Sequence, residues 1–139
     1  MKTLYWIARA LARSTFSATG GGLEVVGADK RIHQGGAIIA ANHTSYLDPP
    51  IVAATYETPV AFLARKTLFR NFGAWLYPRL NAFPIDRDHA DLQTIKSILK
   101  KLRMGQRVMM FPEGTRSEDG KLTEAKPGIG MLVAKSGVP

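Results

Sequence analysis

Ala37-Ile38-Ile39-Ala40-Ala41, running straight into Asn42-His43-Thr44-Ser45-Tyr46-Leu47-Asp48-Pro49-Pro50, is the stretch on which the fold turns. An unbroken apolar run of this length, bounded by polar residues, reads as a strand buried on both faces. Asp48-Pro49-Pro50 is a helix-start signal: a side chain suited to capping, then proline at the first helical position. The helix it opens runs through about Thr55. A buried strand, a polar loop and a helix in that order are the opening of an α/β unit, and such proteins place their sites where strands end.

The pattern repeats outward. Residues 59–64 form a second apolar run, and 66–79 a short, broken helical segment rich in aromatics, with Gly73 inside it and Pro78 at its end. Phe83-Pro84-Ile85 reads as a short strand whose proline favours an edge or terminal position. Residues 89–104 carry a helical stripe of Leu92, Ile95, Leu99 and Leu102, with Lys96, Lys100 and Arg103 facing away. Asp88 and Asp91 near its start and the cations near its end match the helix dipole, and Gly105 suits the residue after it. Residues 107–111 are a third core strand, 112–127 a polar loop, and Gly128 begins a last helix. Residues 23–26 read as a further short strand and 27–30 as a turn. The expected fold is therefore an α/β layered sandwich around a largely parallel sheet. The chain stops at Gly137-Val138-Pro139, where this pattern would enter its next strand, so a C-terminally truncated domain with one uncovered sheet edge is expected.

Residues 2–17 read as a separate helix. Lys2, Arg9 and Arg13 share one narrow sector, with Leu4, Ile7, Ala8 and Leu11 opposite and Tyr5 and Trp6 flanking. A basic, aromatic-edged amphipathic helix suits a membrane interface; the plainer alternative is a helix packed on its own domain. Gly20-Gly21-Gly22 marks a hinge, giving a helix over 1–19 and a domain over 20–139.

Chemistry concentrates in two places. His43 lies at a strand end with a carboxylate, Asp48, five residues on; an imidazole there takes a hydroxyl proton while the carboxylate holds its tautomer and steadies the imidazolium. The alternative is that Asp48 serves only as a cap, and Ser45-x-x-Asp48 fits a capping box; the two roles are compatible. Phe111-Pro112-Glu113-Gly114-Thr115-Arg116-Ser117 leaves the third core strand. Arg116 suits a phosphate held as a bidentate fork, and Glu113 suits orienting that arginine or a substrate hydroxyl. The alternative for this pair is a surface salt bridge. Arg87, at another strand end, is a second candidate phosphate ligand, and Arg65 and Lys66 extend the basic surface. His33 and His89 have no partner pattern.

Charge narrows the partners. The 139 residues carry a formal net charge of +8, which favours phosphate-rich partners such as anionic lipid headgroups or phosphorylated substrates. Nucleic acid fits poorly, because the aromatics follow apolar faces rather than basic stripes. There is no cysteine, which excludes a thiolate nucleophile and a disulfide framework. No spacing suggests a metal site or a nucleotide loop, and no run of eighteen apolar residues suggests a spanning helix.

Asn42-His43-x-Ser45-x-x-Asp48, then 82–87, then Phe111-Pro112-Glu113-Gly114-Thr115-Arg116-Ser117, resemble in identity and order the first three blocks of the lysophosphatidate (1-acylglycerol-3-phosphate) acyltransferase family. Pro127-Gly128 and Val138-Pro139 resemble the approach to the fourth. Asn81 stands where the second block often opens with glycine; asparagine tolerates the left-handed conformation such a turn requires.

The resemblance implies a glycerolipid-acyltransferase-like fold and direct acyl transfer to the 2-hydroxyl of lysophosphatidate, giving phosphatidate for phospholipid synthesis. The acyl group comes from acyl-CoA or acyl-carrier protein, with no other cofactor. It implies His43 as base, Asp48 as its support, Arg116 and Arg87 on the 3-phosphate, and Glu113, Gly114 and Thr115 in the substrate turn. It also implies peripheral attachment at the cytoplasmic side of the cell membrane. Glycerol 3-phosphate or another lysolipid as acceptor, and a non-catalytic basic membrane-binding module, are the competing readings.

Overall fold

The apolar runs become the strands of one parallel sheet. A computed structural model describes residues 2–19, 22–86 and 92–139. Its strands are β1 (Ala37–Ala40), β2 (Val60–Arg65), β3 (Ala82–Ile85) and β4 (Arg107–Met110). They lie in the order β1-β4-β2-β3, all parallel. The helices are α1 (Lys2–Ala18), α2 (Asp48–Thr55), α3 (Phe72–Arg79), α4 (Leu92–Arg103) and α5 (Gly128–Ser136). This is the expected α/β arrangement. β4, with neighbours on both sides, is buried at every residue, as an unbroken apolar run demands. β3 lies at the edge, where Pro84 removes no needed ladder bond.

Alternation along the strands separates the layers. Ala61 and Val108, paired in register, pack with Phe83 and Met110 against Ile98 and Leu102 of α4 and Leu132 of α5. Phe62 and Ala64 point the other way and line a cleft beneath α1, α2 and α3. Gly36 lets α4 approach: a Cβ there would stand 2.2 Å from the Leu102 carbonyl oxygen.

Several expectations need correction. Residues 23–26 form no strand: Val26 is fully exposed and Gly27, at φ 73°, turns the chain into a short 3₁₀ turn. No strand among the described residues pairs with them, and apolar residues alone do not make a strand. α3 runs one residue past Pro78. At the outer edge of β1, Ile38 N–H donates to the Pro139 carbonyl at 2.8 Å, so that edge is not bare. Asn81 adopts φ 63°, the left-handed turn expected of it. Arg87, Asp88, His89 and Asp91, with the start of the 89–104 helix, lie outside the described residues, as do Gly20 and Gly21 of the expected hinge.

The orientation of α1 also differs from expectation. Tyr5 is buried, and its hydroxyl oxygen accepts the Val60 N–H at 3.0 Å. Arg9 Nε donates to the carbonyls of Ala53 (3.1 Å) and Tyr56 (2.7 Å), closing the C-terminus of α2 where a cation is favoured. Tyr5, Ala8, Arg9 and Ala12 therefore face the body, while Ile7 and Leu11 stay exposed. Arg9 is an internal clamp, not a solvated cation. Among the described residues no helix is long and apolar enough to cross a membrane.

Candidate active site

The first motif closes on itself. Asp48 is the first residue of α2, and the bonds of its side chain run backward, to the loop before the helix. It turns back, and one oxygen, Oδ2, accepts from the N–H groups of Thr44 and Ser45 and meets Nδ1 of His43, each at 2.8 Å. The Ser45 bond is one half of the capping box; the Ser45 hydroxyl accepts the Leu47 N–H instead of completing it. The cap reading is thus corrected: the carboxylate organises the loop before the helix. Burial pushes the Asp48 carboxyl up, but the bonds from His43, Ser45 and Thr44 outweigh it and hold it below the usual carboxylate range. An ionised carboxylate only accepts, so Nδ1 carries the proton and Nε2 is left as the basic nitrogen.

The second motif brackets the first because β1 and β4 are neighbours. Ala41 N–H donates to the Met110 carbonyl, and Ser117 N–H donates to the His43 carbonyl at 2.7 Å. Phe111 stacks on the His43 ring, centroids 3.8 Å apart at 12°, and His43 is only 7% exposed. His43 and Arg116 line the same cleft, of about 670 Å³. Arg116 lies over the Tyr46 ring at 3.8 Å and donates from Nη2 to its hydroxyl at 2.9 Å.

Glu113 is buried, 6% exposed, so it forms no surface salt bridge with Arg116. Its Oε2 accepts from the hydroxyl and N–H of Thr123, at 2.9 and 3.2 Å, while Oε1 is buried without a partner. The Thr123 hydroxyl, then its N–H, hold the carboxyl below its ordinary range, with a lesser contribution from the His43 backbone. Gly114 takes φ 76° in a turn closed by its N–H to the Phe111 carbonyl. Glu113, Gly114 and Thr115 do not line the cleft; Arg116 does.

Sequence reasoning missed several contacts. Tyr46 fell at a motif's variable position, and Phe111 looked like strand. Arg65 and Arg9 also line the cleft; the position of Arg65 at the end of β2 was the available signal. Thr123, ten residues from Glu113, carried none.

A family model described as Acyltransferase matches residues 22–139. The chain belongs to the Acyltransferase family. Its match starts where α1 ends, and the motifs above lie inside it. Among relatives, the 1-acyl-sn-glycerol-3-phosphate acyltransferase of Bacillus subtilis (strain 168) is 33% identical over 122 residues, 81% of this chain and 61% of that protein. That of Streptococcus pneumoniae is 38% identical over 103 residues, 70% of this chain and 36% of that protein. The crystal structure of the 1-acyl-sn-glycerophosphate (LPA) acyltransferase PlsC from Thermotoga maritima superposes with a TM-score of 0.78 at 28% identity, over 98% of this chain and 55% of that one. The chain thus spans less than two-thirds of the length of each.

Proposed function

We propose that this protein transfers a fatty acyl group from an acyl thioester, of CoA or acyl-carrier protein, to the 2-hydroxyl of lysophosphatidate, giving phosphatidate. The relatives are named as 1-acyl-sn-glycerol-3-phosphate acyltransferases, and one observation carries the reading here: His43, with Nδ1 turned to the Asp48 carboxylate, borders the same cleft as Arg116. Nε2 takes the hydroxyl proton as the oxygen attacks the thioester carbonyl. The carbon–sulfur bond then breaks, and the leaving thiolate takes that proton from the imidazolium. Asp48 steadies the ring's transient charge, and the stacked Phe111 holds its plane. No covalent acyl-enzyme is needed.

Arg116 binds the 3-phosphate, with Arg87 as a second contact and Arg65 at the cleft wall. Gly114 and Thr115 shape the turn that presents Arg116, and Glu113 braces it through Thr123. Peripheral attachment to the cytoplasmic side of the membrane fits Ile7 and Leu11 on the outer side of α1. The test is acyl transfer by wild type and His43→Ala, beside vesicle binding by both. Lost transfer with retained binding is expected. A His43→Ala chain that still transfers acyl groups refutes the proposal, and glycerol 3-phosphate outcompeting lysophosphatidate redirects the acceptor.

A further inference from the structure

Residues 58–85 contain no aspartate or glutamate but four cations, Arg65, Lys66, Arg70 and Arg79. The same segment exposes two neighbouring aromatic side chains. Phe72 is 68% and Trp75 47% exposed, with their rings 5.4 Å apart. Both sit on one side of α3. Arg79 covers the Trp75 ring at 4.6 Å and donates to the Trp75 carbonyl at 2.6 Å, so its charge stands beside the aromatic pair. The opposite side of α3 carries Tyr77, which lines the cleft, and Gly73, where a Cβ would stand 1.9 Å from the Leu68 carbonyl oxygen. That close approach fixes which side of the helix turns outward. α3 also touches α1, whose Ile7 and Leu11 are exposed.

We propose that the outer face of α3, with Phe72 and Trp75 as its anchors, is a membrane-docking surface that inserts between the headgroups of an anionic bilayer, seating the mouth of the cleft on the leaflet. Soluble surfaces seldom leave two adjoining aromatic rings uncovered. Aromatic rings with a cation beside them, in a segment that carries four cations and no acidic residue, are complementary to an anionic lipid interface in both shape and charge. Acidic soluble proteins would match the cations but not the two rings. Leu68 and Tyr77 line the cleft from this same segment, so a lipid leaving the leaflet meets apolar wall immediately. The purpose of this surface rests on the lipid-acylating reading; its geometry does not.

The test uses the full chain carrying Trp6→Phe, which leaves Trp75 as the single tryptophan. With vesicles of phosphatidylcholine and phosphatidylglycerol, Trp75 emission is expected to shift to the blue and to be quenched by lipids brominated near the glycerol. In an otherwise unaltered chain, Phe72→Ser with Trp75→Ser is expected to weaken vesicle partitioning at least about tenfold. Thermal stability and transfer to a short-chain acceptor in detergent are expected to be unchanged. Unshifted emission in the presence of vesicles, or equal partitioning by the double variant, overturns the proposal. So does a blue shift that grows with protein concentration and needs no lipid, which would make this face a contact between copies of the chain. A chain that binds vesicles through Trp75 yet transfers no acyl group upholds this surface and sinks the acyltransferase reading instead.

Discussion

Replacing Asp48 by asparagine separates two things the proposed mechanism asks of the carboxylate beneath His43: it selects a tautomer and it stabilises charge. All three bonds at Asp48 converge on one oxygen, Oδ2. An asparagine carbonyl placed there keeps the Thr44 and Ser45 donors and still accepts Nδ1–H. The amide group is held out by those two N–H donors, which it cannot satisfy. Nε2 therefore stays basic, and what disappears is attraction between the imidazolium and a negative charge. For charges about 4 Å apart at an effective dielectric near 20 that attraction is about 4 kcal/mol. Partial exposure of the pair reduces it to roughly 2–3 kcal/mol, or about 30- to 150-fold in kcat. KM should hardly move, since Asp48 does not line the cleft.

Asp48→Ala is the contrasting variant. It leaves two N–H groups and Nδ1 without an acceptor, costs roughly 1–3 kcal/mol for each buried donor stranded, and frees the tautomer. Its loss of kcat should exceed that of Asp48→Asn by at least about tenfold, with a lower Tm. The assay is thiol release from an acyl thioester with lysophosphatidate in excess. A loss near 10⁴ for Asp48→Asn, the size seen when a tautomer is reversed, refutes the single-oxygen geometry; a loss under about fivefold shows that Asp48 is not coupled to proton transfer. The pH dependence has a definite sign. A carboxyl held low in the folded chain contributes stability above its unfolded pKa, lost as pH falls through the folded one. Acid unfolding of Asp48→Asn should accordingly be less steep in that range.

Arg116→Ala should raise KM for lysophosphatidate about 10- to 100-fold, the worth of one charged hydrogen bond, with kcat nearly constant; an unchanged KM removes the phosphate assignment. Thr123→Val deletes the hydroxyl that does most to hold the Glu113 carboxyl low. Its Tm should fall at neutral pH, and the deficit should close once pH falls below the ordinary glutamate range and through the lowered folded pKa, as Glu113 protonates in both chains; a deficit independent of pH denies the link. Gly73→Ala drives a Cβ into the Leu68 carbonyl and should cost about 2–3 kcal/mol, whereas Gly130→Ala, inside α5 with open space around it, should stabilise by about 0.5–1 kcal/mol. Thermal melts of the two variants must move in opposite directions.

What the residues made legible followed from burial on two sides. β4 and β2 could be read because an interior parallel strand needs apolar side chains on both faces, and α4 because its stripe repeats at helical spacing. The orientation of α1 could not. A helical wheel says which residues share a side, not which side packs: Ile7 and Leu11 point out because Tyr5 and Arg9 have partners in Val60 N–H and the α2 carbonyls. Strand 23–26 failed for a related reason, since a strand exists only by its neighbour. At the site, His43, Asp48 and Arg116 stood out by type and spacing. Tyr46, Phe111 and Thr123 contribute through contacts between loops, which no spacing along one segment encodes.

The two motifs meet because of strand order, and this constrains the chemistry more than either motif does alone. β1 and β4 are adjacent in register, Ala40 beside Met110, so Asn42-His43 and Phe111–Arg116 leave the sheet from neighbouring strands at the same level. The bonds from Ala41 to Met110 and from Ser117 to His43 continue that pairing beyond the sheet, stitching the two loops backbone to backbone. Ring stacking by Phe111 then follows as a consequence, since the first residue after β4 has nowhere to go but against the residue two past Ala41. The loops that carry His43 and Arg116 are thus fixed to each other by backbone bonds. Reaction geometry of this kind depends on distance far more than on charge, so lengthening either loop by one residue should damage transfer more than removing Glu113.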